Sequence, residues 1–130
     1  MRLDVECVRN VLFTVEEHTN GIDKFNLSAA NYRNYHLLKD YDFIKVYYHI
    51  KQLVNGGFIS EAAILETDHV LIIDLTWEGH QFIENIRSDN IWNKVKQAAK
   101  SAGSYAVSIL VQTAAQAVLH AAMGALLPNQ

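Results

Sequence analysis

The stretch Tyr47–Ile59 reads YYHIKQLVNGGFI, and it combines the end of a helix with the start of a strand. The apolar residues in and just before it follow the i, i+3, i+4, i+7 spacing of an amphipathic helix. They are Phe43, Val46, Tyr47, Ile50, Leu53 and Val54. Gly56 and Gly57 suit the left-handed conformation that ends a helix without strain. We therefore predict a helix that stops at the two glycines and a strand that begins at Phe58.

A β-hairpin is predicted directly after this helix. Residues 58–65 and 70–75 are rich in β-branched and aliphatic side chains, and the polar sequence ETDH separates them. Thr76 is placed to cap a further helix, which SDN at 88–90 interrupts and recaps. The chain after the hairpin is therefore predicted to be helical.

The N-terminal residues predict another amphipathic helix. Asp4 is its expected N-cap, and Leu3 and Val8 are spaced to form a hydrophobic staple. This helix should end near Asn20 and Gly21. Residues 22–41 contain only short apolar pieces around a tyrosine-rich polar middle, so we assign them a loop with a short strand or a helical turn.

This order of elements predicts an α+β fold, mainly helical with a small β-hairpin. It is the order found in a winged helix-turn-helix domain, which we place at residues 1–88, followed by C-terminal helices at residues 89–130 that form an oligomerisation extension. The chain departs from the standard winged helix in one respect, because residues 22–41 do not show a separate second helix.

Three segments carry a resemblance to a known family. They read MRLDVECVRNVLFTVEE, YHIKQLVNGGFI and LTWEGHQFIENIRSDNIWNKVK, and together they span roughly residues 1–101. The set is similar to a family of small bacterial and prophage proteins known only as a domain of unknown function. The resemblance implies a winged-helix-like fold and a phage or prophage setting, and it implies no catalytic residue.

Composition and charge limit the classes of function. The chain has 130 residues, half of them hydrophobic, which is typical of one globular domain with an appendage. Its net charge of −3 is unlike that of a protein that coats nucleic acid, although residues 31–60 carry a net +2. The single cysteine, Cys7, lies in an apolar helical pattern and is predicted to be a buried thiol in a reducing compartment. The N-terminus lacks the pattern of a secretory signal, so we expect a cytoplasmic protein.

The sequence contains no recognisable catalytic or metal-binding motif. Its six histidines do not form HExxH or paired Cys/His spacings, and no glycine-rich phosphate loop precedes a helix. His80 is the best candidate for a general base, but no nucleophile motif stands near it. We therefore expect a protein that is not an enzyme and that has no metal or cofactor.

The polar face of the 43–55 helix is the candidate binding site. It is rich in hydrogen-bond donors, and its proposed contact residues are Lys45, Tyr48, His49, Lys51, Gln52 and Asn55. Such a face can contact phosphates and base edges in a major groove, so we predict a DNA-binding transcriptional regulator that acts as a dimer. Asp42, Glu66 and Asp68 place negative charge where DNA contacts are expected. They favour the alternative, an interaction module that modulates a host or phage protein.

The segment Gly103–Leu127 carries no formally charged side chain. A polar or small residue recurs at every fourth position, and the rest of the segment is apolar or alanine. As a helix it is long enough to cross a bilayer, but its polar stripe favours association in water. We predict a helix that pairs with another copy through Ile109, Val111, Val118, Leu119 and Met123, with a membrane or a different protein as alternatives.

Overall fold

A computed structural model describes residues 1–62 and 69–126 of the chain. The helices are α1 (Val5–His18), a 3-10 helix (Tyr32–Asn34), α2 (Phe43–Asn55), α3 (Trp77–Ile86), α4 (Asp89–Ala102) and α5 (Val107–Leu126), and the strands are β1 (Phe25–Ser28), β2 (Ile59–Ala62) and β3 (His69–Leu75). The described part of the chain is mainly helical with one small antiparallel sheet. The predicted α+β class is therefore confirmed.

Helix α1 begins as the sequence predicts. The Asp4 carboxylate accepts hydrogen bonds from the backbone N–H groups of Glu6 and Cys7, at 3.0 Å and 3.3 Å. Two N–H groups of the first turn, which have no partner inside a helix, are satisfied in this way. The inward face of α1 is fully buried and consists of Cys7, Val8, Val11, Leu12, Thr14 and Val15.

The sheet has a third strand beside the predicted hairpin. Its order is β1-β3-β2, and both pairings with the central strand β3 are antiparallel. Phe25 and Leu27 of β1 are buried, whereas Asn26 between them is exposed. Two inward residues are too few to mark a strand by alternation, so the sequence predicted this strand only as one alternative for the segment.

Between β1 and α2 the chain forms a single 3-10 turn and bends. Tyr32 in that turn and Leu38 after it are buried, which anchors the segment to the core. The prediction that residues 22–41 lack a separate α-helix is confirmed.

The glycine pair ends α2 as predicted. The Gly57 N–H donates to the Val54 carbonyl at 3.0 Å with φ of 85°, and the Phe58 N–H donates to the Leu53 carbonyl at 2.8 Å. These bonds satisfy carbonyls of the last helical turn. Strand β2 then runs from Ile59 to Ala62. The rest of the predicted strand to Leu65, and most of the predicted turn, lie outside the described residues.

The chain divides into two compact units, Met1–His80 and Gln81–Gln130. The division falls inside α3, earlier than the predicted boundary at residue 88. In the first unit, Gly79 approaches the backbone of Phe58 so closely that a Cβ there would overlap the Phe58 carbonyl oxygen. The start of α3 is therefore fitted to the start of the hairpin, where the Thr76 hydroxyl accepts from the Gly79 N–H at 3.1 Å.

In the second unit, α4 packs against α5. Ser88 caps α4, and Gly103 ends it in the left-handed region at φ of 70°. The prediction that the tail helix begins at Gly103 is wrong, because this glycine is the C-cap of the preceding helix and α5 begins at Val107. Leu110 and Ala114, one turn apart on α5, are fully buried.

Candidate functional site

Helix α2 carries a row of side chains at its solvent-facing surface. Ile44, Tyr48, Gln52 and Asn55 are spaced by four, four and three residues, which places them on one side of a helix. Ile44 is 72% exposed and Asn55 is exposed, whereas Tyr48 and Gln52 are half-buried. We call these four residues, together with Lys45 and Lys51, the α2 face.

His49 does not belong to this face. Its side chain is fully buried, so its predicted place among the exposed contact residues is wrong. The Asp4 N–H donates to His49 Nε2 at 2.8 Å, and His49 Nδ1 lies 2.8 Å from the Lys45 carbonyl oxygen. Since Nε2 accepts, Nδ1 must carry the proton and donate. Burial lowers the pKa of His49, outweighing its hydrogen bond to the Lys45 carbonyl, and the ring is a neutral strut between two helices.

Lys45 is paired with the carboxylate that caps α1. Its Nζ lies 2.6 Å from Asp4 Oδ2, and both side chains are about one-third exposed, at 35% and 33%. Burial opposes ionisation of Asp4, but the hydrogen bond from Lys45 and those from two backbone N–H groups outweigh it and hold the pKa of Asp4 below its ordinary value. The same hydrogen bond raises the pKa of Lys45. Lys45 is therefore fully charged at neutral pH but already engaged.

Lys51 is paired in the same way with the hairpin. Its Nζ lies 2.8 Å from Glu61 Oε1, on strand β2, and 5.7 Å from the ring centroid of Tyr47. Both lysines of the α2 face are thus neutralised within the first unit. The face consequently presents little net positive charge to a phosphate backbone.

The amide side chains of the α2 face are not engaged. Among the residues that the structure describes, neither Gln52 nor Asn55 has a side-chain hydrogen-bond partner. Each amide offers one acceptor and two donors to an external molecule. These are the groups of the face best suited to recognition.

A cleft of about 540 Å³ lies at the N-terminal end of α2. Its walls combine the apolar side chains of Met1 and Ile44 with charges of both signs, and it is lined by Met1, Arg2, Asp42, Phe43, Ile44 and Lys45. Asp42 is exposed and makes no side-chain capping bond to α2. The negative charge predicted at this end of the helix is therefore at the surface, while Glu66 and Asp68 lie outside the described residues.

Cys7 and His80 are the two side chains that the sequence singled out for their reactivity. Cys7 is fully buried, as predicted, and burial raises the pKa of its thiol to about 12, so the reactive thiolate is scarce at neutral pH. His80 Nε2 lies 3.7 Å from Asp74 Oδ1, which is beyond hydrogen-bonding distance. That carboxylate oxygen instead accepts from the Thr19 hydroxyl at 2.9 Å.

Comparison with known proteins assigns the chain to a protein family. A family described as "Hypothetical protein (DUF2513)" matches residues 2–105. The chain belongs to this family. The resemblance to a domain-of-unknown-function family is thereby confirmed. A protein of Haemophilus influenzae described as "Uncharacterized protein" is 35% identical over 63 residues, which are 47% of this chain and 53% of that protein. The match thus spans about half the length of that relative. No solved structure matches the chain.

Helix α5 lies beyond the part matched by DUF2513 and forms a second candidate surface. Of its predicted interface residues, Leu119 and Met123 are 61% and 50% exposed, and Ile109, Val111 and Val118 are half-buried. Of the predicted polar stripe, Ser104 precedes α5 and is half-buried, whereas the five members on the helix are exposed: Ser108, Gln112, Gln116, His120 and Gly124. Residues 107–124 also have the length and apolar composition of a membrane span, and 11% of this segment is buried. Core helices of soluble proteins can have the same length and composition.

Proposed function

We propose that this DUF2513 protein is a non-enzymatic, cytoplasmic DNA-binding regulator of the phage or prophage type. The α2 face would enter a major groove and the hairpin would lie beside it. The observation that carries the proposal is the row of solvent-facing side chains along α2, with amides at Gln52 and Asn55 that have no hydrogen-bond partner among the described residues. A helix whose exposed side chains reach base edges is the common element of helix-turn-helix readers.

The order of elements supports a winged helix. A helix, a short strand, a brief helical turn, a second full helix and a hairpin follow one another, and the first strand lies beside the last in the sheet. In this interpretation α2 is the recognition helix and the 3-10 turn stands where the second helix normally lies. The glycine stop after α2 then sets the angle between the recognition helix and the wing.

The ion pairs of the α2 face are compatible with phosphate binding. Lys45 and Lys51 are more than one-third exposed, and such pairs contribute about 0–1 kcal/mol. A lysine can therefore exchange its carboxylate for a phosphate at small cost. Release of counterions from DNA would then favour the exchange at low salt.

The experiment is fluorescence anisotropy of the full chain with duplex DNA across a salt series. Lys45→Glu combined with Lys51→Glu should weaken binding and reduce the slope of log K against log salt by about 2, since each lost phosphate contact contributes about 0.9. Lys94→Glu with Lys100→Glu makes the same charge change at exposed positions of α4. Equal losses in both double variants, or an unchanged slope in the first, would place the DNA contact elsewhere.

We also propose that α5 pairs two copies of the chain. Leu119 and Met123, one turn apart, are exposed on a helix without charged side chains, and such a surface is stabilised by burial against another apolar surface. A two-fold dimer would present two α2 faces to a pseudo-palindromic site. The polar stripe lies on the same side of α5 as these two residues, so it can face water at the edge of the pairing or hydrogen-bond across it, whereas a membrane would have to desolvate it.

The oligomeric state of the full chain tests this pairing by light scattering. Leu119→Glu with Met123→Glu should give monomers, whereas Asn93→Glu with Gln97→Glu, the same kind of change one turn apart at exposed positions of α4, should leave the dimer intact. Deleting all residues after 101 should also give a monomer that keeps the first unit folded. A monomeric parent chain would refute the pairing, and a parent chain that sediments with vesicles would favour the membrane.

A specific observation favours a second candidate function, a module that binds a host or phage protein. Both lysines of the α2 face are neutralised, and the exposed apolar side chains of Met1 and Ile44 line the same cleft. A cleft that combines apolar side chains with charges of both signs suits a protein partner better than a phosphate backbone. Recovery of one stoichiometric protein, in a preparation that retains no DNA at moderate salt, would favour this function.

A further inference from the structure

We infer that the α2 face selects A·T base pairs. The inference rests on the proposed DNA binding and goes beyond it, because it names the base chemistry that the face can read. It depends on which side chains of α2 are engaged inside the protein and which are offered outward.

The engaged side chains are the cations. Lys45 and Lys51 make ion pairs of 2.6 Å and 2.8 Å with Asp4 and Glu61. Helix α2 contains no arginine, and its only histidine is buried with both ring nitrogens bonded. Guanine is read most often by Arg or Lys bonded to both O6 and N7. The groups of the α2 face that could read guanine are therefore the ammonium groups of Lys45 and Lys51, and these are held by carboxylates or, in the proposed complex, by phosphates.

The offered side chains have the chemistry of A·T recognition. Gln and Asn bond to both N6 and N7 of adenine, and apolar side chains contact the methyl group of thymine. Gln52 and Asn55 have no side-chain hydrogen bond within the described residues, and Ile44 is 72% exposed. Adenine and thymine thus each find a matching group on the same helix.

The spacing sets the size of the site. Ile44 and Gln52 are eight residues apart, which is about 12 Å along a helix at 1.5 Å per residue. Base pairs are stacked about 3.4 Å apart, so this distance covers three to four of them. We therefore place the thymine that contacts Ile44 and the adenine that bonds to Gln52 at opposite ends of a short A·T-containing half-site. Tyr48 lies between Ile44 and Gln52 on the same side of α2. It is half-buried, and its ring centroid is 5.2 Å from that of His49.

The experiment selects duplexes from a random library with the full chain and then measures affinity by anisotropy. The expected result is enrichment of A·T pairs at two positions three to four base pairs apart, with about 10-fold or more loss of affinity when the adenine position becomes G·C. Gln52→Ala should abolish that discrimination at one position. Gln52→Arg should shift the preference there toward G·C, since Arg supplies the donors that guanine accepts.

Two matched substitutions support the assignment. Gln97→Ala removes an exposed glutamine from α4 and should leave the selected sequence unchanged. Ile44→Ala should weaken only the preference for thymine. Circular dichroism should show Ile44→Ala and Gln52→Ala to be folded, because neither of the two side chains is fully buried. Tight binding with G·C-rich or random selected sequences, or a Gln52→Ala variant with unchanged discrimination, would overturn this inference and leave DNA binding standing. Absence of DNA binding by the parent chain would overturn both.

Discussion

Replacing His49 with alanine should destabilise the first unit more than any surface change on α2. The imidazole is fully buried, accepts from the Asp4 N–H at 2.8 Å and donates to the Lys45 carbonyl. Truncation of a large buried side chain costs about 2–5 kcal/mol, and leaving one N–H without a partner adds about 1 kcal/mol or more. The Lys45 carbonyl also accepts a backbone hydrogen bond within α2, so losing the hydrogen bond from the His49 ring costs little at that oxygen. We expect a decrease of about 3–4 kcal/mol in the free energy of unfolding.

Urea unfolding followed by circular dichroism measures this change. With a slope of about 2 kcal/mol per molar, the midpoint should fall by roughly 1.5–2 M. His36→Ala makes the same substitution at an exposed position of the same unit and should change the free energy by less than about 0.5 kcal/mol. Equal effects at the two positions would show that His49 is not the strut between α1 and α2.

The same histidine predicts how stability depends on pH. Its pKa is lowered in the folded protein by burial, so between the folded value and the ordinary value of about 6.5 the unfolded chain binds more protons. The contribution of His49 is therefore fully present above pH 6.5 and is lost as the pH falls through the folded pKa. The parent chain should lose stability over that window, and His49→Ala should show a flatter curve. If stability depends on pH in the same way in the parent chain and in His49→Ala, His49 is not the cause of the dependence.

Three glycine substitutions and one chemical treatment test the packing. Gly79→Ala should destabilise by about 1–3 kcal/mol or more, because its Cβ would overlap a backbone carbonyl, whereas Gly124→Ala, in open space on a helix, should stabilise by up to about 1 kcal/mol. Thermal unfolding of the two variants compares these signs. Gly57→Ala should cost about 1–2 kcal/mol because φ there is 85°, and a neutral result in urea unfolding would contradict that strain. Cys7 should react with a thiol reagent only in denaturant, and rapid labelling of the native chain would show that its buried environment opens.

Local interactions explain which elements the sequence predicted correctly. The N-cap at Asp4, the cap at Ser88 and the stop at Gly57 each depend on residues within a few positions along the chain. The apolar period of α2 is equally local, and it predicted the buried Val46, Ile50 and Leu53. Such signals are complete in the sequence because the interacting groups are neighbours in it.

Strand β1 and the ion pairs show what the sequence could not decide. Phe25–Ser28 becomes a strand because its backbone pairs with that of β3, which lies more than forty positions later in the chain. Lys45 and Lys51 were predicted as contacts for a ligand, and the structure pairs them with Asp4 and Glu61. Partners that are distant in sequence leave no local pattern, so these choices belong to the tertiary structure.

His49 shows where the two kinds of information meet. By its spacing it borders both the apolar stripe of α2 and the polar face, and the sequence placed it on the polar side. In the folded chain the N-terminus of α1 brings the Asp4 N–H against the ring, and the Lys45 carbonyl accepts a hydrogen bond from the other ring nitrogen. A polar ring can be buried only when both nitrogens have partners. The sequence by itself determined the helix and its two faces, and the tertiary contact decided on which side this residue lies.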